Sequence, residues 1–342
     1  MPLPQRIRQP FLLVFLGTLL IVLTIAAVTA GAWAQLNSPL NLEQPVRFDV
    51  PAGASLASIS DRLAARGWLQ QPRVFTAWAR LSGNAARIQA GEYELSASLT
   101  PRQLLDKLVN GDVTSYQLTL VEGWTFRQAL EQIWNSPGIR VTLAGQSDAA
   151  IADGLGLPHD NPEGLLFPDT YFYPAGTADR EILLRAYRRL DTILNDSWAQ
   201  RAVGLPVDSA YQALILASIV EKETGVAGER GRIAGVFARR LQLGMRLQSD
   251  PTVIYGMGSR YQGNIDRAAL REETPYNTYR INGLPPTPIA LAGREAIAAS
   301  VNPEVTDALY FVARGDGSHQ FSSTLEEHNA AVRRYQLNQD AQ

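Results

Sequence analysis

The sequence predicts an α+β protein with three parts: a single N-terminal transmembrane helix, a small βααβ module and a larger mixed α+β domain. Three observations predict it. An apolar run of 20 residues, Phe11 to Ala30, lies near the start. Short alternating strands and capped helices follow it to about residue 112. Beyond residue 116, helical periods alternate with stretches dense in Gly, Pro, Asn, Gln and Tyr. The 342 residues allow two or three domains at roughly 100–200 residues each.

The first element is the apolar run. At about 1.5 Å per residue it reaches the thickness of a bilayer core. Arg6 and Arg8 precede it, and no charge occurs between Arg8 and Glu43. The positive-inside rule then puts residues 1–10 in the cytoplasm as a tail, 11–33 across the membrane and the rest outside. Trp33 falls at the outer interface. Ala32-Trp33-Ala34 resembles a signal-peptidase site, but the run is longer than a secretory apolar region of about 7–15 residues, so a retained anchor is expected. Residues 36–46 carry two prolines and two asparagines and read as a linker.

The module spans 44–112. Phe48-Asp49-Val50 alternates as a strand. Ser55 caps a helix carrying Leu56, Ile59 and Leu63, stopped by Gly67. Thr76 to Leu81 forms a second helix, and Gly91 to Leu95 returns as a strand. Thr100-Pro101-Arg102-Gln103 is a capping box that opens a further helix, ended near Gly111. The domain 116–342 begins with a similar signal: strand Tyr116–Val121, turn Glu122-Gly123, then Thr125 capping with Gln128.

Composition excludes several chemistries. The absence of cysteine removes disulfides, thiolate metal sites and a cysteine nucleophile. The three histidines, His159, His319 and His328, form no H-E-x-x-H. No G-x-S-x-G elbow or P-loop occurs. A net charge of −2 gives no nucleic-acid footprint. No metal and no cofactor are expected.

The segment 208–225, DSAYQALILASIVEKETG, reads as a helix capped by Asp208 or Ser209 and closed by Gly225. Leu214, Ala217, Ser218 and Glu221 share one face at i, i+3, i+4 and i+7. Glu221 thus aligns with the buried side, while Lys222 and Glu223 point elsewhere. Burial, the helix C-terminus and a neighbouring carboxylate all raise a glutamate pKa, toward what a general acid needs. The same spacing equally allows Glu221 to sit at the stripe's edge, in water or paired with an arginine. A second helix runs from about Glu229 to Gly244. Residues 245–258 and 273–293 read as loops. In them Gln248, Asp250, Tyr255, Tyr276, Asn277 and Tyr279 combine flat apolar faces with amide and carboxylate groups, the mixture that binds sugars.

SIVEKETG, the block GMRLQSDPTVIYG, PYNTY and GLPPTPI, in this order, resemble the MltG/YceG family of endolytic murein transglycosylases. EGLLFPDTYFYP and HQFSSTLEEHN resemble further family segments. The module at 44–112 resembles LysM, a βααβ fold associated with N-acetyl sugar polymers. The resemblance implies that 116–342 is the catalytic domain and that Glu221 is the catalytic glutamate. It implies peptidoglycan glycan strands as substrate, cleaved between MurNAc and GlcNAc to leave 1,6-anhydro-MurNAc ends. The cytoplasmic (inner) membrane and peptidoglycan synthases are the implied partners, with the catalytic part on the periplasmic side. Two other readings fit the residues: a lysozyme-like hydrolase using Asp250 as second carboxylate, and a membrane-tethered glycan-binding scaffold.

Overall fold

The computed structural model describes residues 5–337, with side chains from Val14 onward. Residues 1–4 of the expected tail lie outside the described residues. The chain separates into two compact units: residues 1–116 with 173–176, and residues 117–172 with 177–342.

The first unit opens with helix α1 (Gln5–Asn37), whose segment Val14–Asn37 is long and apolar enough to cross a membrane. After it come β1 (Val46–Val50), α2 (Leu56–Ala65), α3 (Pro72–Leu81), β2 (Gly91–Leu95) and α4 (Pro101–Asn110). β1 and β2 pair antiparallel, Phe48 opposite Tyr93, so the order is βααβ with one added helix. Alternation sends Phe48, Val50, Tyr93 and Leu95 into a core with Ile59, Leu63, Phe75, Leu104 and Leu108. The caps form as the sequence demands. Ser55 accepts from the Ser58 N–H, and Thr100 and Gln103 make a reciprocal capping box. Gly111 closes α4 at φ +67°, a conformation that only glycine adopts freely.

One expectation is corrected here. Residues 36–46 are not a free linker: α1 continues to Asn37, and Leu36 and Leu40 are buried. The Leu40 N–H donates to the Leu99 carbonyl, and the Asn41 N–H to that of Trp68. Apolar burial outweighs the turn chemistry of the prolines and asparagines.

The chain continues through β3 (Ser115–Thr119), α5 (Phe126–Trp134), α6 (Asp148–Leu155) and β4 (Thr170–Pro174). β3 pairs with β4, and Gln117–Thr119 and Thr170–Phe172 belong to the larger unit. The larger unit adds α7 (Asp179–Ala199), α8 (Ala210–Glu223), α9 (Arg230–Gln242), α10 (Asp250–Met257), α11 (Arg294–Val301), β5 (Tyr310–Ala313), β6 (His319–Ser322) and α12 (Leu325–Val332). β5 and β6 form an antiparallel hairpin. The core gathers Leu190 of α7, Leu214 and Leu216 of α8, Ile233 and Phe237 of α9 and Ile297 of α11.

α8 lies at the centre. Every residue from Ala213 to Val220 is buried, so the helix has no solvent face over that stretch. This replaces the expected single buried stripe: an all-round apolar helix is a core helix. Ser209 caps it, and it ends at Glu223, two residues before Gly225, because Thr224 is extended (φ −145°, ψ 135°). The region 245–258 is likewise not all loop. Asp250-Pro251 opens α10, with proline in the first turn.

Candidate active site

Because α8 is buried all round, its last glutamates point into protein on different sides. Glu221 and Glu223 are two residues apart, about 200° around the helix at 3.6 residues per turn. Each therefore meets a different set of neighbours.

The Glu221 side chain is 6% exposed. Its Oε2 accepts from the Gly293 N–H at 2.9 Å, and its Oε1 lies 3.8 Å from the Arg230 guanidinium. Arg230 also faces Glu122 at 4.0 Å and pairs with Glu295. Burial raises the Glu221 pKa, the Gly293 N–H opposes this, Glu122 adds to it, and Arg230 opposes. The arrangement is the arginine-paired one that the spacing allowed. It ties the C-terminus of α8 to the start of α9 and to the residues entering α11.

Glu223 does not point away from the protein. The Ser249 hydroxyl donates to its Oε1. Burial, opposed by that hydrogen bond and aided by the charge of Asp250, pushes its carboxyl up to about 7. The carbonyl end of α8 favours the neutral acid as well. Ser249 occupies the N-cap of α10 yet makes no capping bond, its hydroxyl being given to Glu223. Its own N–H donates to Thr278 Oγ1 at 2.9 Å, and the Thr252 and Thr278 hydroxyls lie 2.8 Å apart. These buried hydroxyls fix Ser249 in place.

Arg240, buried in α9, holds the strand of chain before Ser249. It donates from Nε to the Leu309 carbonyl at 2.6 Å and from a terminal nitrogen to that of Leu247 at 2.7 Å. Gln248 has φ +52°, the one non-glycine positive φ among the described residues. Strain of this kind persists only where surrounding structure enforces it, and it concentrates at functional sites. Here the clamp is Arg240 together with the Gln248 N–H bond to the Thr278 carbonyl.

The six sugar-binding candidates divide. Gln248, Asp250 and Tyr279 gather on the Glu223 side, with the Tyr279 hydroxyl donating to Asp250 at 2.7 Å. Tyr255 and Tyr276 pack edge to face, centroids 4.8 Å apart, at a third glutamate. That residue, Glu163, is 5% exposed. It accepts from the Phe126 N–H at 2.8 Å and the Tyr255 hydroxyl at 3.2 Å, and burial still pushes it up to about 7. Asn277 is buried and its amide donates to the carbonyls of Ala269, Leu270 and Glu272. It organises the loop from within.

Sequence reasoning missed Glu223, Ser249, Arg240 and Glu163. The available signal for Glu223 was ALILASIV: with no polar face over eight residues, a glutamate on any side of the next turn enters protein. The signal for Ser249 was S-D-P, a helix start with proline in its first turn.

This defines a class of site: a carboxyl at the end of a core helix, held near neutral pKa by burial and oriented by a hydroxyl, beside amide, tyrosine and carboxylate groups. The chain belongs to the YceG-like family, whose model matches residues 48–334. An endolytic murein transglycosylase of Bacillus subtilis is 29% identical over 307 residues, covering 85% of this chain and 84% of that protein. A protein of the same name from Streptococcus pneumoniae is 28% identical over 327 residues, covering 85% of this chain and 58% of its own length. The crystal structure of a yceG-like protein from Listeria monocytogenes superposes with a TM-score of 0.54 at 28% identity, covering 84% of this chain and 99% of that one.

Proposed function

We propose that the protein is a membrane-anchored endolytic lytic transglycosylase of peptidoglycan, with α1 as a single-pass anchor in the cytoplasmic membrane and its N-terminus inside. The relatives' names supply the substrate class. The βααβ order supports a LysM-like glycan-holding role for residues 44–112, leaving catalysis to 116–342. Nascent strands as substrate imply work beside the peptidoglycan synthases.

Two glutamates compete for the proton donor. The family resemblance drew the role to Glu221. The observation that carries our reading is the Glu223 carboxyl, poised at about 7 and oriented by Ser249. Glu221 is instead bonded to the Gly293 N–H and faces Arg230, which suits a tie between elements.

The reaction needs one acid–base group. The protonated carboxyl gives its proton to the glycosidic oxygen as the bond to C1 of MurNAc breaks, and the GlcNAc side leaves as an alcohol. An oxocarbenium-like centre forms at C1. The carboxylate then takes the proton of the same sugar's C6 hydroxyl, whose oxygen bonds to C1 and closes the 1,6-anhydro ring. No water is consumed and the carboxyl is regenerated. Because the nucleophile belongs to the substrate, the second carboxylate of ordinary glycosidases is not required, and proximity favours closure.

The test is mass analysis of products from uncrosslinked glycan. Anhydro ends, lost in Glu223→Gln, support the reading. Reducing ends, lost in Asp250→Asn, would assign hydrolysis with Asp250 as second carboxylate. Glycan bound but uncut would leave a tethered scaffold.

A further inference from the structure

The end of α1 and the small module are one packed body, not an anchor with a tether. Leu36 and Leu40 are buried against it. One turn before Leu36, Trp33 meets Trp78 of α3 edge to face, ring centroids 6.4 Å apart. The Arg102 guanidinium, from the first turn of α4, lies 5.1 Å from the Trp33 ring and 5.9 Å from that of Trp78. Arg102 is exposed and pairs with no carboxylate among the described residues. Trp33 remains 52% exposed, and Leu81, three residues beyond Trp78 and so on the same side of α3, is 86% exposed.

Arithmetic places this cluster in depth. A hydrocarbon core of about 30 Å takes about 20 helical residues, Phe11 to Ala30. Trp33 then stands about 4.5 Å above its edge, within a headgroup layer of roughly 5–7 Å on each side. Because Trp33 touches Trp78, the α3 face is at the same depth. Tryptophan prefers that layer, an arginine fork suits phosphate oxygens, and an exposed leucine is accommodated by acyl chains. The surface is continuous with the span itself, and Arg102 complements an anionic headgroup.

We propose that this face, Trp33, Trp78, Leu81 and Arg102, is a lipid-docking surface that lays the module on anionic phospholipid headgroups. The proposal rests on the anchor reading of α1. Glycan held by the module is then held at the bilayer surface rather than at a distance from it.

The chain has no cysteine, so Leu81→Cys supplies a single thiol for a fluorophore, at a position too exposed to disturb folding. The full-length labelled protein is placed in nanodiscs of phosphatidylglycerol and phosphatidylethanolamine, with and without bromine on the upper acyl carbons. The expected result is loss of most of the fluorescence with brominated lipid, and clear recovery when Arg102→Gln is added. A chain that does not enter nanodiscs overturns the anchor reading and this proposal together. A chain that enters but keeps an unquenched label overturns the proposal alone and leaves the face to a protein partner. Quenching unchanged by Arg102→Gln removes the phosphate contact and overturns the docking site as stated.

Discussion

The Ser249 hydroxyl donates a hydrogen bond to Glu223 across 26 residues of sequence, joining the last residue of α8 to the cap of α10. A hydrogen bond of this kind favours the carboxylate, while burial and the Asp250 charge favour the acid. The balance leaves the group titrating near neutrality, where it can both give and take a proton.

Ser249→Ala removes the side-chain hydrogen bond that stabilises the Glu223 anion, so the carboxyl pKa rises further. A general acid acts only while protonated, so cleavage in the parent protein should fall as pH rises above about 7. In Ser249→Ala that falling limb should move upward by roughly 1 pH unit, the worth of one hydrogen bond to a charged group. A pH profile of kcat/KM checks this. A limb that stays in place while the rate drops would make Ser249 a packing residue only.

Glu223→Gln should lower cleavage by about 10²–10⁴-fold, the usual contribution of general acid–base catalysis, because the amide neither gives nor takes the proton. Glu221→Gln keeps an acceptor for the Gly293 N–H and removes one of three carboxylates around Arg230, so activity should stay within about tenfold of the parent. Anhydro-product release by both variants, with folding followed by circular dichroism, decides between the two glutamates. The reverse order of losses would restore the role that the family resemblance gave to Glu221.

Which parts were legible follows from how local their causes are. The caps at Ser55, Thr100 and Thr125 depend on residues three apart, and the sequence showed each one. The alternation of Phe48 and Val50 likewise announced β1. Glu223 was not legible from the helical period alone, because its burial comes from α10 and the chain around Thr278 rather than from its own helix. The period separated Glu221 from Glu223 correctly; the assumption that the other side was solvent failed, since α8 is enclosed by α7, α9 and α11. Residues 36–46 show the same thing: their prolines signal a turn, and only the packing of Leu36 and Leu40 reveals a fixed joint.

Glu163 offers a stability test. Its folded pKa of about 7 lies above the unfolded value near 4.5, so its contribution is complete below about pH 4.5 and is lost as pH rises through 7. The full loss is about 3 kcal/mol at 1.36 kcal/mol per pH unit. Glu163→Gln mimics the neutral acid and cannot ionise. Relative to the parent, the variant should therefore gain stability between pH 5 and pH 8, measured by urea unfolding at each pH. A variant that loses ground over that interval would mean that the Phe126 and Tyr255 donors hold Glu163 as a favoured anion.

Gly235 lies within α9, where propensity alone would favour alanine by about 1 kcal/mol. Packing opposes this. A Cβ at Gly235 would stand 2.2 Å from the Glu304 carbonyl oxygen and 3.0 Å from the Thr306 methyl. The first is backbone, and it is held nearby by the Glu304 N–H bond to the Gly231 carbonyl, so it cannot swing aside as a side chain would. Relief requires moving the chain at 304–306 away from α9, and overpacking of this order costs typically 1–3 kcal/mol or more. Gly235→Ala should therefore destabilise the protein despite its better helix propensity, lowering the urea midpoint with little change in slope. Gly154→Ala, in α6 with nothing within 4 Å of the added Cβ, is the matched control and should be neutral or stabilising. If both substitutions moved the midpoint upward, the close approach of α9 to Glu304 would not exist in solution.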